Sequence, residues 1–255
     1  MAILEVRNLT KVFGGLTAVS DLSFDVEKGK IVSLIGPNGA GKTTAFSMIT
    51  GLVKPTAGTV IFDGEDITGM DAHKVAAKGL VTTFQKTKVF PTLTVEEAIM
   101  VGTHCKTDTS TKDILLRTKK YYEQQEIARA KVQEVLEYTN LVDKRDFMCT
   151  SLSYGEQRIL EIAVAMAASP KLLLLDEPAA GLNHTESEGL MQMIYGMRDS
   201  GVTILLIEHD MSVVMRISDH VVVISFGQKI ADGTPQEVSS DKQVIEAYLG
   251  TGDDD

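Results

Sequence analysis

The chain has 255 residues, 44% of them hydrophobic and 24% charged, with a formal net charge of −10. That length can bury a substantial core, as one large domain or a core with a subdomain. The acidic balance excludes a general affinity for nucleic acid or anionic lipid and leaves room only for a local basic patch.

Cys105 and Cys149 form no CxxC pair, so they suggest neither a disulfide framework nor a metal site and read as cytosolic free thiols. No apolar run approaches the ~20 residues that span a bilayer. The opening Met1-Ala2-Ile3-Leu4-Glu5-Val6-Arg7 lacks the basic-then-apolar pattern of a secretory signal. Any membrane role is therefore expected to come through a partner.

In chain order, the alternation at Leu22, Phe24 and Val26 predicts antiparallel strands near the N-terminus. A turn at Lys28-Gly29 leads to Ile31-Val32-Ser33-Leu34-Ile35, an apolar run suited to a buried strand. A glycine loop follows, then a helix from Lys42 to Thr50 stopped by Gly51. Val60-Ile61-Phe62 runs into Asp63-Gly64, a hairpin turn.

Thr94-Val95-Glu96-Glu97 predicts a capping box that opens a short helix. The polar stretch from His104 to Thr111 has little to bury, and Lys112 to Asn140 reads as one long solvated helix of a mainly helical subdomain. Leu172 to Leu175, Val202 to Ile207 and Val221 to Ile224 alternate with helix-like stretches, the pattern of parallel βα units with helices on both faces. Asp253-Asp254-Asp255 reads as a disordered tail.

Gly36-Pro37-Asn38-Gly39-Ala40-Gly41-Lys42-Thr43 matches the phosphate-loop pattern G-x-x-x-x-G-K-[ST], with Thr44 continuing into the helix. Glycines let the backbone wrap phosphates so that N–H groups point inward, and the helix adds its positive end. Lys42 is the candidate for the β- and γ-phosphates of ATP. The Thr43 hydroxyl is the candidate ligand for Mg²⁺, which prefers octahedral oxygen ligands.

The strand Leu172 to Leu175 ends in Asp176-Glu177-Pro178. Ligands of open α/β sheets sit at the carboxyl ends of strands, and neighbouring side chains on a strand point opposite ways. Asp176 is thus the candidate for the metal, and Glu177 for general base toward the attacking water. The strand Val202 to Ile207 delivers Glu208 and His209 to the same edge, where His209 could hydrogen-bond the γ-phosphate and the water.

With these residues in view the chain resembles the ABC ATPase family. Leu152-Ser153-Tyr154-Gly155-Glu156 resembles its LSGGQ signature, and Ser153 with Glu156 forms a capping box ahead of an apolar stripe of Ile159, Ile162, Ala163 and Met166. Gln85, after Thr82-Thr83-Phe84, falls at the family's Q-loop, where the resemblance gives it a catalytic and metal-contacting role. Phe13 falls where the family places an aromatic ring against adenine, although a core phenylalanine fits it equally. Ala180-Gly181-Leu182-Asn183 occupies the D-loop position.

The resemblance implies an α/β P-loop (RecA-like) core, residues 1–86 and 167–255, with an N-terminal antiparallel β subdomain and an inserted helical subdomain, residues 87–166. It further implies a head-to-tail dimer with a second, related or identical, ATPase subunit. There ATP on one phosphate loop is sandwiched by Ser153, Gly155 and Glu156 of the other chain.

The sequence departs from the family at Tyr154 for glycine, Glu156 for glutamine and Asn183 for aspartate. The combination Phe84-Gln85, LSYGEQR, EPAAGLN, Ile207-Glu208-His209-Asp210 and a C-terminal Val244-Ile245-Glu246-Ala247-Tyr248-Leu249-Gly250 is similar to the ATPases of branched-chain amino-acid importers, the LivG type among them. That likeness implies a peripheral subunit on the cytoplasmic face of the membrane, working with a transmembrane permease and indirectly with a periplasmic or extracellular binding protein. Urea import and lipopolysaccharide export are the neighbouring alternatives. A non-transport, nucleic-acid-linked ABC protein fits the acidic charge less well, and a small-molecule kinase or GTPase leaves the signature unexplained.

Overall fold

The computed structural model describes residues 1–83, 90–106 and 110–249. The first half contains β1 (Ala2–Phe13), β2 (Leu16–Glu27), β3 (Ile31–Ile35), α1 (Lys42–Ile49), β4 (Ala57–Phe62), β5 (Glu65–Asp66), α2 (Ala72–Lys78), β6 (Leu80–Thr82), α3 (Val95–Gly102), α4 (Thr111–Leu116) and α5 (Lys119–Tyr138). The second half contains α6 (Tyr154–Ala167), β7 (Leu172–Asp176), α7 (His184–Asp199), β8 (Thr203–Ile207), α8 (Met211–Ile217), β9 (His220–Ser225), β10 (Gln228–Gly233), α9 (Pro235–Ser239) and α10 (Lys242–Leu249).

Contacts divide the chain into two compact units, one of Met1–Thr82, Lys171–Ala180 and the residues from Met191 onward, the other of Thr83–Pro170 and Gly181–Leu190. The first unit is built on two sheets. An antiparallel sheet runs β2-β1-β4-β5, and a second sheet runs β10-β9-β3-β8-β7-β6 with only β10 antiparallel.

Every residue of β3, β7 and β8 is buried, which is why these strands read as unbroken apolar runs rather than alternating ones. Alternation still decides which face each side chain covers. Leu34, Leu174, Leu205 and Val222 join a core with Leu4, Leu22, Phe24 and the α1 residues Phe46 and Ile49. Their neighbours Ile35, Val221 and Val223 face the other way, onto Val214 of α8, Val238 of α9 and Val244 of α10. Each leucine so buried stabilises the fold by about 2 kcal/mol.

The Asp63-Gly64 turn forms as expected, both residues at positive φ of 50° and 82°, and returns β4 into β5. Within the second unit α3, α5 and α6 pack on one another through residues such as Val95 and Ile99, Val132 and Leu136, and Leu160 and Ala163. The capping box at Thr94 and Glu97 is present, with Glu97 N–H donating to Thr94 Oγ1 at 3.2 Å.

The long helix expected over Lys112 to Asn140 is instead two. Arg117 takes a left-handed conformation (φ 46°) that ends α4, and Thr118 caps a separate α5. Part of the polar stretch before it and the acidic C-terminal tail lie outside the described residues.

Candidate functional site

The strand order puts β3 beside β8 and β8 beside β7, so three carboxyl ends meet along one edge of the sheet. The loop after β3 carries Gly36 to Gly41. Gly36 (φ 153°) and Gly41 (φ 100°) hold backbone conformations that L side chains rarely adopt. A Cβ at Gly36 would lie 2.0 Å from the Ile224 carbonyl oxygen, and one at Gly41 2.5 Å from that of Ala18. At these two positions only glycine fits, and the loop is thus a backbone cradle, the shape that brings N–H groups up to phosphates.

Two further contacts from distant parts of the chain brace it, and neither is marked by any local motif. Gly227, in the turn between β9 and β10, donates its N–H to Ala40 O at 2.9 Å and accepts from Ser20 N–H at 2.8 Å. Tyr248 of α10 packs behind the loop; burial pushes its phenol up to about 12, against hydrogen bonding from the Gly36 backbone.

At the start of α1 the Lys42 ammonium curls back over the loop and donates to Gly36 O at 2.6 Å and Pro37 O at 3.0 Å. Burial lowers its pKa, and the carboxylates of Glu177 and Asp176 pull the other way. A buried cation facing a cradle of amides is a receptor for an anion. Thr43 is exposed and Thr44 half-buried at the mouth of the loop, with Asn38 and Gly39 exposed on its rim.

Asp176 ends β7, is buried, and pairs in register with Ile207 of β8. Glu177 follows with φ 48°, an uncommon conformation for a glutamate. Its N–H donates to Ile207 O at 2.9 Å, and its carbonyl accepts from Ala180 N–H at 3.2 Å, which makes a tight turn. His209, just beyond β8, places Nδ1 3.8 Å from Glu177 Oε1 and 3.9 Å from Glu208 Oε2. Lys42, Asp176, Glu177 and His209 are therefore held in one unit along one edge, as the sequence expects.

The donors offered to a metal are the Asp176 carboxylate and the Thr43 hydroxyl, hard oxygens that fit Mg²⁺. Among the described residues no group of three or more His, Cys, Asp or Glu is arranged to hold a metal ion.

Glu208 is the functional candidate that the sequence brings to this edge without a role. Its side chain is almost wholly buried, at 1% relative exposure. It accepts from Ala179 N–H at 3.0 Å and from His209 N–H at 3.2 Å, so one carboxylate ties the turn after Glu177 to the backbone of His209. Burial raises its pKa, with these two N–H groups opposing.

On the ATPase activity that the resemblance implies, Glu208→Ala is expected to lower turnover by about tenfold while leaving KM within about twofold, since small misplacements of reacting groups cost rate more than binding. Glu208→Asp should recover part of the loss. Steady-state kinetics on both variants check this, and unchanged turnover would reduce Glu208 to a purely structural group.

Phe13 ends β1 with 47% of its surface exposed and the Lys11 ammonium 5.0 Å from its ring centre, so it is not a core phenylalanine. Gln85 lies outside the described residues.

The signature residues belong to the second unit. Ser153 caps α6: its Oγ accepts from Glu156 N–H at 3.3 Å, and Glu156 Oε2 accepts from Ser153 N–H at 2.9 Å. Lys144 also bonds Glu156 and, ahead of the Ser153 cap, holds its carboxyl below the usual range. Gly155 is buried under Glu186, whose Oε1 would lie 2.8 Å from a Cβ there.

The departures from the family pattern have local explanations. Glu156 pairs with Lys144, and Tyr154 stacks under Arg158 with 5.6 Å from guanidinium carbon to ring centre. Asn183 Oδ1 accepts from Glu186 N–H at 3.0 Å, a cap that asparagine makes as well as aspartate. Of the apolar stripe, Ile162, Ala163 and Met166 are buried, while Ile159 is only partly so.

The chain also has clear relatives among known proteins. Residues 19–180 match the family described as ABC transporter, and residues 228–254 match the one described as branched-chain amino acid ATP-binding cassette transporter. The chain is 46% identical over 249 residues, covering 97% of it and 98% of the relative, to the high-affinity branched-chain amino acid transport ATP-binding protein BraF of Pseudomonas aeruginosa. It is 43% identical, with the same coverage, to the protein LivG of Salmonella typhimurium that carries the same description. Among solved structures, the ADP conformation of an ATP-binding cassette of an ABC transporter superposes with a TM-score of 0.86 at 33% identity, covering 98% of this chain and 99% of that one.

Proposed function

The chain belongs to the ABC transporter family of ATP-binding proteins, and from that premise we propose that it hydrolyses ATP to drive uptake of branched-chain amino acids through a separate membrane permease. The convergence of Lys42, Asp176, Glu177 and His209 at one sheet edge carries the ATPase part of this reading. The cargo reading is supported by the match of the C-terminal segment, residues 228–254, to the branched-chain family. That second match also favours it over urea import or lipopolysaccharide export.

In the proposed reaction the phosphate-loop amides, Gly36 to Thr44, and Lys42 hold the β- and γ-phosphates, while Phe13 offers its exposed face to adenine. Thr43 and Asp176 would hold Mg²⁺, with Gln85 a further ligand only as the family resemblance implies, and the ion would supply neutralisation of phosphate charge. Glu177 accepts a proton from water as its oxygen attacks the γ-phosphorus; the bond to the bridging oxygen breaks, leaving ADP and inorganic phosphate. His209 steadies the γ-phosphate and the water.

The second half of the site comes from another ATPase subunit, related or identical, whose Ser153, Gly155 and Glu156 close over the nucleotide with the dipole of α6. The working position is the cytoplasmic face of the membrane, with a binding protein outside delivering cargo to the permease.

Deleting the chain from its source organism is expected to abolish high-affinity uptake of labelled leucine, isoleucine and valine while urea uptake continues. Unchanged leucine uptake would sink the cargo assignment and leave the ATPase reading standing.

A further inference from the structure

Residues 110–122 read Ser-Thr-Lys-Asp-Ile-Leu-Leu-Arg-Thr-Lys-Lys-Tyr-Tyr. The run carries four basic side chains and one acid, in a chain whose net charge is −10. It folds as an elbow, α4 ending at Arg117 and α5 starting after Thr118.

The single acid is what holds the elbow. Asp113 accepts from Ser110 Oγ at 2.6 Å, Ser110 N–H at 3.0 Å and Thr118 Oγ1 at 2.9 Å, so it bridges the caps of both helices. The hydrogen bond from the Ser110 side chain, more than any other contact, keeps this carboxyl below its usual range. Around it Lys112, Arg117, Lys119 and Lys120 are all exposed, and Lys120 also acts on the Asp113 carboxylate by charge. Lys119 pairs with Glu123 at 3.3 Å, but with the two side chains 92% and 58% exposed that pair holds it weakly.

Between these cations stand Ile114, Leu115 and Leu116, exposed by 52%, 83% and 72%. Ile114 is seated at the edge of a cavity of about 230 Å³ with Met100, Tyr121 and Gln125. Leu115 and Leu116 project beyond it. Tyr122 is 54% exposed and meets Tyr121 edge-on at 5.3 Å. Three consecutive exposed apolar residues are a liability in water unless something takes them up.

We propose that this elbow, Lys112 to Tyr122, is a lipid-contact site that seats the chain directly on an anionic phospholipid surface. A bilayer interface accepts each element of the elbow: apolar side chains into the acyl boundary, tyrosine at the headgroups, and cations against phosphate. A nucleic acid would leave the leucines unused. Either signal alone gives marginal binding, and the elbow supplies both on one short segment. The site stands whichever cargo the permease carries, and it adds to membrane contact made through a partner.

Flotation of the purified full chain with vesicles tests it, using phosphatidylglycerol mixed with phosphatidylcholine against phosphatidylcholine alone. Recovery with the anionic vesicles should exceed that with neutral ones by about tenfold and vanish at about 0.5 M salt, where exposed charges are screened. Leu115→Ser with Leu116→Ser should weaken vesicle binding by about tenfold. Lys119→Glu with Lys120→Glu should abolish it, and both variants should keep the wild-type circular dichroism and ATPase rate. The proposal falls if the wild-type chain does not float, if it floats equally on neutral vesicles, or if the variants bind like wild type. It also falls if the leucines instead pair chains in solution, read by light scattering as an oligomer that the Leu115→Ser, Leu116→Ser variant loses.

Discussion

Glu177→Gln is expected to leave Mg-ATP binding intact and to lower phosphate release by about 10²- to 10⁴-fold, the range attributed to a positioned general base. The amide keeps the size of the side chain and the turn that carries it, because that turn is made by backbone: Glu177 N–H to Ile207 O and Ala180 N–H to Glu177 O. What is lost is the group able to take a proton beside His209, whose Nδ1 lies 3.8 Å from Glu177 Oε1. Nucleotide that binds and is not hydrolysed should hold the proposed head-to-tail dimer closed. Gel filtration in Mg-ATP would then show the variant, more than wild type, at twice the monomer mass. Normal hydrolysis by Glu177→Gln would remove the base assignment. A variant that binds ATP yet stays monomeric would point to a different, related chain as the partner.

Lys42→Ala is the second large effect, and it falls on binding. A hydrogen bond to a charged group is worth about 1.5–3 kcal/mol, so ATP affinity should drop by about 10- to 100-fold. The fold should survive, since the loop conformation is held by glycine backbone and by Gly227 rather than by the lysine alone. The wild-type pH dependence follows from the same residue. Burial lowers the Lys42 pKa in the nucleotide-free chain, whereas a bound phosphate favours the charged ammonium. ATP affinity should therefore be full below that lowered pKa and decline as pH rises through it, sooner than an ordinary lysine would allow. Calorimetric titration of wild type and Lys42→Ala across alkaline pH checks the sign: the decline belongs to wild type and should be flattened in the variant.

Much of the nucleotide edge was legible because it is local. The glycine spacing of residues 36–41, the apolar strand before it and the helix after it all lie within one stretch of chain, and the Asp176-Glu177 pair ends a strand whose burial is written in leucine. The remaining features depend on contacts distant in sequence or on conformations against type. Nothing local shows that Glu208, an acid at a strand end, turns inward to bond Ala179, or that Tyr248 backs the phosphate loop. The break at Arg117 was missed because arginine is a good helix former. It is imposed by Asp113 gripping Ser110 and Thr118, a geometry that sequence periodicity does not register. Glycine at 155 reads as a nucleotide contact, and its packing under Glu186 depends on a residue of α7, beyond the rest of α6 and the whole of β7.

The left-handed backbone of Glu177 has an evolutionary consequence. A non-glycine residue at φ 48° gives up about 1–2 kcal/mol relative to one that adopts the conformation freely. Mutational drift toward glycine or asparagine at this codon would therefore yield a chain that melts at higher temperature and expresses well. Stability alone would never retain the acid. Only purifying selection on turnover keeps a glutamate at a place its own backbone resists, and a library screened for thermostability should lose it early.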